Sequence, residues 1–140
     1  MTVRRLIDRH VPMRLKLSAA WTAILFCYVY GDYFALYSPG KIQAVMAGDI
    51  GIGQAGPGML AAVSLMMALP SVLVFLCLVL PAPVCRWANG ALGIVYAAIV
   101  ALTMPGAPLF YILLSAIEIA LSATVLWLAW SWPRDDLPEG

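Results

Sequence analysis

Between Asp49 and Arg86 this chain carries no charged side chain, and after Arg86 none appears until Glu118. Uncharged apolar stretches of this length limit the fold more than any other feature of the 140 residues. A soluble chain this small lacks the interior to hide them. Apolar helices of about 20 residues match the hydrocarbon thickness of a bilayer. Composition agrees: 64% of residues are hydrophobic and 11% charged, against about 25% charged in an ordinary soluble domain. The rival, a set of buried helices in a soluble protein, fails because nothing in the chain would cover them.

Four spans are expected, at about residues 17–37, 58–80, 88–104 and 109–132. Ser38-Pro39-Gly40 stops the first. The connection 41–57 is the longest, and Ile42, Val45, Met46 and Ile50 suggest a short interfacial helix there, ended by Gly51, Gly53 and Gly56. An ordinary loop is the alternative. Pro70 falls mid-span and predicts a kink. Pro81-Ala82-Pro83 ends the second span, with Cys85-Arg86-Trp87 read as a tight turn and Asn89 as a cap for the third span. Pro105 to Pro108 form an uncharged reversal. Trp127, Trp130 and Trp132 form an aromatic belt at the last span's end. The fold class is therefore an all-α membrane protein, a single antiparallel four-transmembrane-helix bundle occupying residues 1–140.

The formal net charge of +1 carries no message about nucleic acid. Its distribution is informative. Arg4, Arg5, Arg9, Arg14 and Lys16 precede the first span, Arg86 and Arg134 fall on the same side, and Lys41 stands alone opposite. The excess of positive charge places both termini in the cytoplasm. The first apolar run is long for a signal peptide and no small-x-small site closes it, so it reads as retained. Cys27, Cys77 and Cys85 have no metal-site spacing, and a structural disulfide is not expected. Cys27 and Cys77 are placed at lipid or helix contacts, and Cys85 in the turn.

Two acids lie within the spans, where an ionisable group is costly unless it faces protein or a wet cavity. On the fourth span Tyr111, Ser115, Glu118 and Ser122 follow helical spacing along one face. Comparable inward stripes are Trp21, Leu25, Tyr28 and Asp32 on the first span, Ser64, Ala68 and Ser71 on the second, and Asn89, Gly93, Tyr96, Val100 and Thr103 on the third. The helix rise puts Asp32 roughly 8 Å and Glu118 roughly 14 Å below the external ends of their spans, so both could line one outward cavity. No basic side chain is expected at that depth, which favours an uncharged Glu118 that donates a hydrogen bond.

Tyr28, Asp32, Tyr96, Tyr111, Ser115 and Glu118 are thus the candidate ligand-binding residues. Arg86, Trp87 and Asn89 are candidates for an interface or gate. Three meanings stay open. In the first, the acids brace helices through Tyr28, Tyr96 or Tyr111. In the second, they bind a small amphiphilic or cationic ligand. In the third, they serve proton-coupled transport. A structural or interaction protein with no substrate of its own is the alternative to any site. No HExxH, phosphate loop or Ser-His-Asp set occurs, so enzyme activity is unassigned and no cofactor or metal is implied. Expected partners are membrane lipids, a small amphiphilic or cationic ligand and a second copy of the chain, with no nucleic acid.

Tyr28-Val29-Tyr30-Gly31-Asp32, Arg86-Trp87-Ala88-Asn89, and Tyr111 with Ala116-Ile117-Glu118-Ile119 resemble an uncharacterised family of small four-helix bacterial membrane proteins, grouped under a domain-of-unknown-function label. The likeness runs over roughly residues 15–132. It implies a multi-pass protein of the bacterial cytoplasmic (inner) membrane and supplies no reaction, substrate or cofactor. One prediction follows from the charge asymmetry. Cysteines introduced by Arg5→Cys and Arg86→Cys should be shielded from an impermeant thiol reagent in intact cells, while Lys41→Cys should react. External labelling at position 5 or 86 overturns the topology.

Overall fold

The computed structural model describes residues 10–51 and 53–133. Arg4, Arg5 and Arg9 of the basic leader and Arg134 lie outside them, and so does the expected position of the termini. The described residues form four long helices and one short one: α1 (Met13–Ala35), α2 (Lys41–Met46), α3 (Pro57–Val79), α4 (Ala82–Thr103) and α5 (Leu109–Trp130). An all-α fold is observed. Among the described residues, α3, α4 and α5 are long and apolar enough to cross a membrane. Four such spans are expected from the sequence, and α1 is the one that does not reach this apolarity. Helix α1 matches the others in length but is diluted by Arg14, Lys16, Trp21, three tyrosines and Asp32.

The helix boundaries correct the sequence reading most clearly at α4, which starts at Ala82 rather than residue 88. A proline near a helix start loses no hydrogen bond, because the first N–H groups have no intrahelical acceptor. Pro81 therefore stands at the N-cap and Pro83 in the first turn, and both begin a helix instead of separating two. Cys85, Arg86 and Trp87 are helical, not a turn. Asn89 lies well inside α4 and cannot cap it. At the other end of α1, the helix stops at Ala35 and turns lead to α2; a short helix forms in the connection as expected, but it ends at Met46, before Ile50 and the glycine cluster. The segment after α2 folds back on itself through an Asp49–Gln54 bridge. Gly51 makes this turn possible with φ of 88°, and its N–H donates to Asp49 Oδ1 at 2.8 Å.

Helix α1 packs closely against α3 and α5, and α4 against α5, while α3 and α4 meet only sparingly. Gly90 and Gly93 allow the α4–α5 approach. A Cβ on Gly93 would come within 3.3 Å of Leu126, and one on Gly90 within 3.4 Å of Trp130. Small residues of this kind let membrane helices approach. The core collects at the end where α1 begins, around Leu17, Trp21 and Ile24 of α1, Leu73 and Cys77 of α3, and Val125 and Leu128 of α5.

A polar knot sits inside this core. Trp21 Nε1 donates to Asn89 Oδ1 at 2.7 Å. Asn89 Nδ2 donates to the Cys85 carbonyl at 2.7 Å and faces both Cys77 Sγ and Cys85 Sγ. Asn89 is 0% exposed. Buried polar groups persist where partners replace water, and here both atoms of the amide are engaged. Cys85 is thus a core residue rather than a turn residue. Nearby, Ser18 Oγ donates to the Val74 carbonyl at 2.9 Å, and Arg14 reaches the Leu78 carbonyl at the end of α3 at 3.2 Å.

Helix α3 continues through Pro70, which is buried. Proline has no N–H to offer the carbonyl four residues back, and that carbonyl belongs to Met66. The Tyr96 hydroxyl of α4 donates to the Met66 carbonyl. The defect in one helix is repaired by a side chain from another, and the repair links two helices that otherwise touch little.

A double-mutant cycle tests this pairing. Tyr96→Phe should destabilise the protein by about 1 kcal/mol in the native background. In Pro70→Ala, where residue 70 can donate to Met66, the same change should have a smaller effect. Equal effects in both backgrounds, measured by unfolding in detergent, would refute the repair. Asn89→Ala strands the Trp21 N–H in the core and should lower stability by about 1–3 kcal/mol.

Candidate functional site

Beyond Tyr96, toward the end where α1 stops, the bundle is hollow. A cavity of about 800 Å³ occupies this half, within the range of roughly 300–1,000 Å³ common to small-molecule sites. All six candidate ligand-binding residues line it: Tyr28 and Asp32 from α1, Tyr96 from α4, and Tyr111, Ser115 and Glu118 from α5. The helical spacing explains the α5 set, since residues four, three and four apart share a face. Ser115 and Glu118 are buried, at 1% and 5% exposure, and Ser122 continues the face below them. Ile117 and Leu113 turn outward on the same helix.

Most of the stripes on α1, α4 and α5 are buried or half-buried, with Asp32 and Thr103 exposed at the cavity's edge, but the α3 stripe turns outward. Ser64, Ala68 and Ser71 are exposed, and Ser71 Oγ donates to the Met67 carbonyl of its own helix at 2.8 Å. Helix α3 instead buries Pro70, Leu73 and Cys77 and lines the cavity with Leu60, Val63, Met66 and Met67. Pro70 must be covered where its missing donor is repaired, so it sets which face of α3 turns in. The cavity consequently has a polar wall on α1 and α5 and an apolar wall on α3.

The acids are not braced by the tyrosines, contrary to one of the sequence readings. Tyr96 donates to Met66 and Tyr111 to Thr103 Oγ1 at 3.0 Å. The Tyr28 hydroxyl is buried and has no hydrogen-bond partner among the described residues, and the same holds for Ser122. Tyr28 packs beside Tyr96 with ring centroids 6.3 Å apart. Asp32 is shallower than the sequence suggests. It lies three residues from the last residue of α1, or ~5 Å along the helix axis, because α1 ends before residue 37. An acid in a helix's last turn faces the negative end of the macrodipole, which disfavours it by roughly 0.3–1 kcal/mol.

Lys41 was missed. It begins α2 and lines the same cavity as Asp32 and Glu118, together with Ser38, Ile50 and Gly51 of the connecting segment. The expectation of no basic side chain at the depth of the acids does not foresee that Lys41 reaches the same cavity from the connecting segment. The one clue in the sequence is that Lys41 opens the only connection long enough to fold back over the helix ends. The cavity thus brings one cationic side chain, Lys41, together with two acidic ones, Asp32 and Glu118.

Arg86, Trp87 and Asn89 are not part of this cavity. Arg86 lies with its guanidinium carbon 5.5 Å from the Trp130 ring centroid. Trp87 is 68% exposed and packs edge-on against Trp130 at 6.2 Å. Cationic and indole groups of this kind suit a headgroup boundary. Asn89 belongs to the buried knot. Among the described residues no group of three or more His, Cys, Asp or Glu side chains could hold a metal ion.

Because Glu118 lines space and has no tyrosine partner, its removal should not break the fold. Glu118→Gln should be at least as stable as the native protein, since it removes an ionisable group from an apolar setting. A clear fall in Tm in mild detergent would mean that Glu118 is a structural brace.

The family model described as "Family of unknown function (DUF6326)" matches residues 5–139. No curated protein and no solved structure matches the chain.

Proposed function

For a chain that belongs to DUF6326, a family of unknown function, we propose a membrane bundle whose hollow half binds a small amphiphilic cation at Asp32 and Glu118. The observation that carries this reading is the meeting of both acids in one cavity of about 800 Å³. A buried carboxylate is retained against its desolvation cost when it has work inside the membrane or faces a wet cavity. The tyrosine faces around the acids suit an ammonium group, which is attracted to aromatic rings. The unpartnered Tyr28 hydroxyl adds a spare hydrogen-bonding group. In this reading α1 crosses the membrane as a fourth span, with its less apolar residues turned partly to the cavity. Both termini are then cytoplasmic and the cavity opens on the outer side of a bacterial inner membrane.

The rival reading is a structural or interaction protein with no substrate of its own. The membrane-embedded helical bundle is all it requires, and the lack of a metal-binding cluster among the described residues fits it. The outward row Ala61, Ser64, Ala68 and Ser71 on α3 supports assembly into a homo-oligomer through close helix contact.

Binding separates the two. Dodecyltrimethylammonium should bind the protein in nanodiscs saturably. Glu118→Gln and Asp32→Asn should each weaken binding roughly tenfold or more, about 1.4 kcal/mol per tenfold. If no saturable binding occurs and both variants match the native protein, the interaction reading stands.

A further inference from the structure

Resting on that reading, we propose that the occupant is a bilayer-dissolved amphiphile with an amine headgroup, and that it enters sideways between α3 and α4. The observations concern the walls of the cavity. Helix α1 packs closely on both α3 and α5, and α4 on α5, so three seams of the bundle are closed. The α3–α4 seam is held near the connecting turn, where Asn89 meets Cys77 and Cys85 reaches the Cys77 carbonyl. It is held again where Tyr96 donates to Met66. Beyond Tyr96, among the described residues, no hydrogen bond joins α3 to α4. There the cavity is lined by Leu60 and Val63 on one side and Ile99 and Val100 on the other.

The route from water is less suitable for this ligand. Residues 38–51 fold back over the helix ends, and Ser38, Lys41, Ile50 and Gly51 line the cavity from that side. On that side the positive charge of the half-buried Lys41 stands beside the exposed Asp32 and opposes the approach of a cation to Glu118. A cation arriving from the bilayer would pass an uncharged, apolar edge and reach Glu118 on the far wall. The two walls also match the two ends of the molecule: carboxylates on α1 and α5 for the ammonium, methionines and aliphatic side chains on α3 for the chain. Met66 and Met67 add adaptability, since unbranched thioether side chains conform to varied apolar shapes.

Photolabelling tests the proposal. The probe is a dodecylamine with a diazirine near the middle of its chain, supplied in phospholipid nanodiscs holding the full-length protein. Saturable labelling should fall on residues 60–67 of α3 and 99–103 of α4, and Glu118→Gln should reduce it at least fivefold. Labelling of the outward residues Val72 and Phe75 should be unsaturable in both proteins and serves as the lipid background. Val63→Trp with Ile99→Trp should slow labelling at the seam while leaving the background unchanged. Saturable, Glu118-dependent labelling that falls instead on residues 38–51, or that is unaffected by the two tryptophans, overturns side entry but leaves the acid site standing. Absence of saturable, Glu118-dependent labelling at any position overturns both this proposal and the binding reading beneath it.

Discussion

The 2.7 Å hydrogen bond from Trp21 Nε1 to Asn89 Oδ1 ties together helices that share no extensive packing seam. It crosses the bundle diagonally from α1 to α4. The same amide faces Cys77 of α3 and holds the Cys85 carbonyl within α4. Helices in a bilayer gain little from the hydrophobic effect, because lipid tails are as apolar as their side chains. Close packing and polar links must define their arrangement. The knot supplies such a link at one end of the bundle, and Val125, Leu128 and Ile24 close around it.

Among the described residues the opposite end has no equivalent knot, and the Tyr96–Met66 contact marks the boundary. It arises from Pro70, whose missing donor leaves a carbonyl open, and it holds α3 to α4 at a single level. Past that level the helices enclose space instead of side chains. The cavity is therefore a product of where the polar links stop. A glutamate at its floor carries a desolvation cost, but the packing that defines the bundle lies elsewhere and does not depend on it.

Much of this was legible in the sequence, for stated reasons. Uncharged runs bounded by proline and glycine placed α3 and α5 to within a residue or two. Helical spacing identified the faces of α1, α4 and α5 that turn inward, because polar groups at a fixed period can be hidden together only on one side. The same reasoning failed on α3. Serine satisfies its hydroxyl on its own helix, as Ser71 does, and so it needs no polar interior. A buried proline with a borrowed donor determined that helix's orientation, and the donor lies 26 residues away on another helix. The start of α4 was misread because prolines stop helices from within and tolerate helix starts equally well. Lys41 was missed because its place over the cavity depends on the turns between α1 and α2, which no periodic pattern records.

The asymmetry of charge along the cavity bears on what could occupy it. A site for a simple cation would gain from having no positive charge nearby. A site for an anion would not be floored by two carboxylates. Lys41 shares the cavity with Asp32 and Glu118, and charges of both signs give specificity more than raw affinity. Asp32 sits in the last turn of α1 against the helix dipole, and the cationic side chain on the next helix partly offsets that penalty. Lys41 thus has a structural reason to be where it is, independent of any ligand. Glu118 has no such reason among the described residues: it is buried, it lines open space, Tyr96 and Tyr111 give their hydroxyls to other groups, and no hydrogen bond joins it to the unpartnered Tyr28 hydroxyl. Of the charged groups around this cavity, Glu118 is the one whose presence the fold itself leaves unexplained, and that is why the proposed function rests most heavily on it.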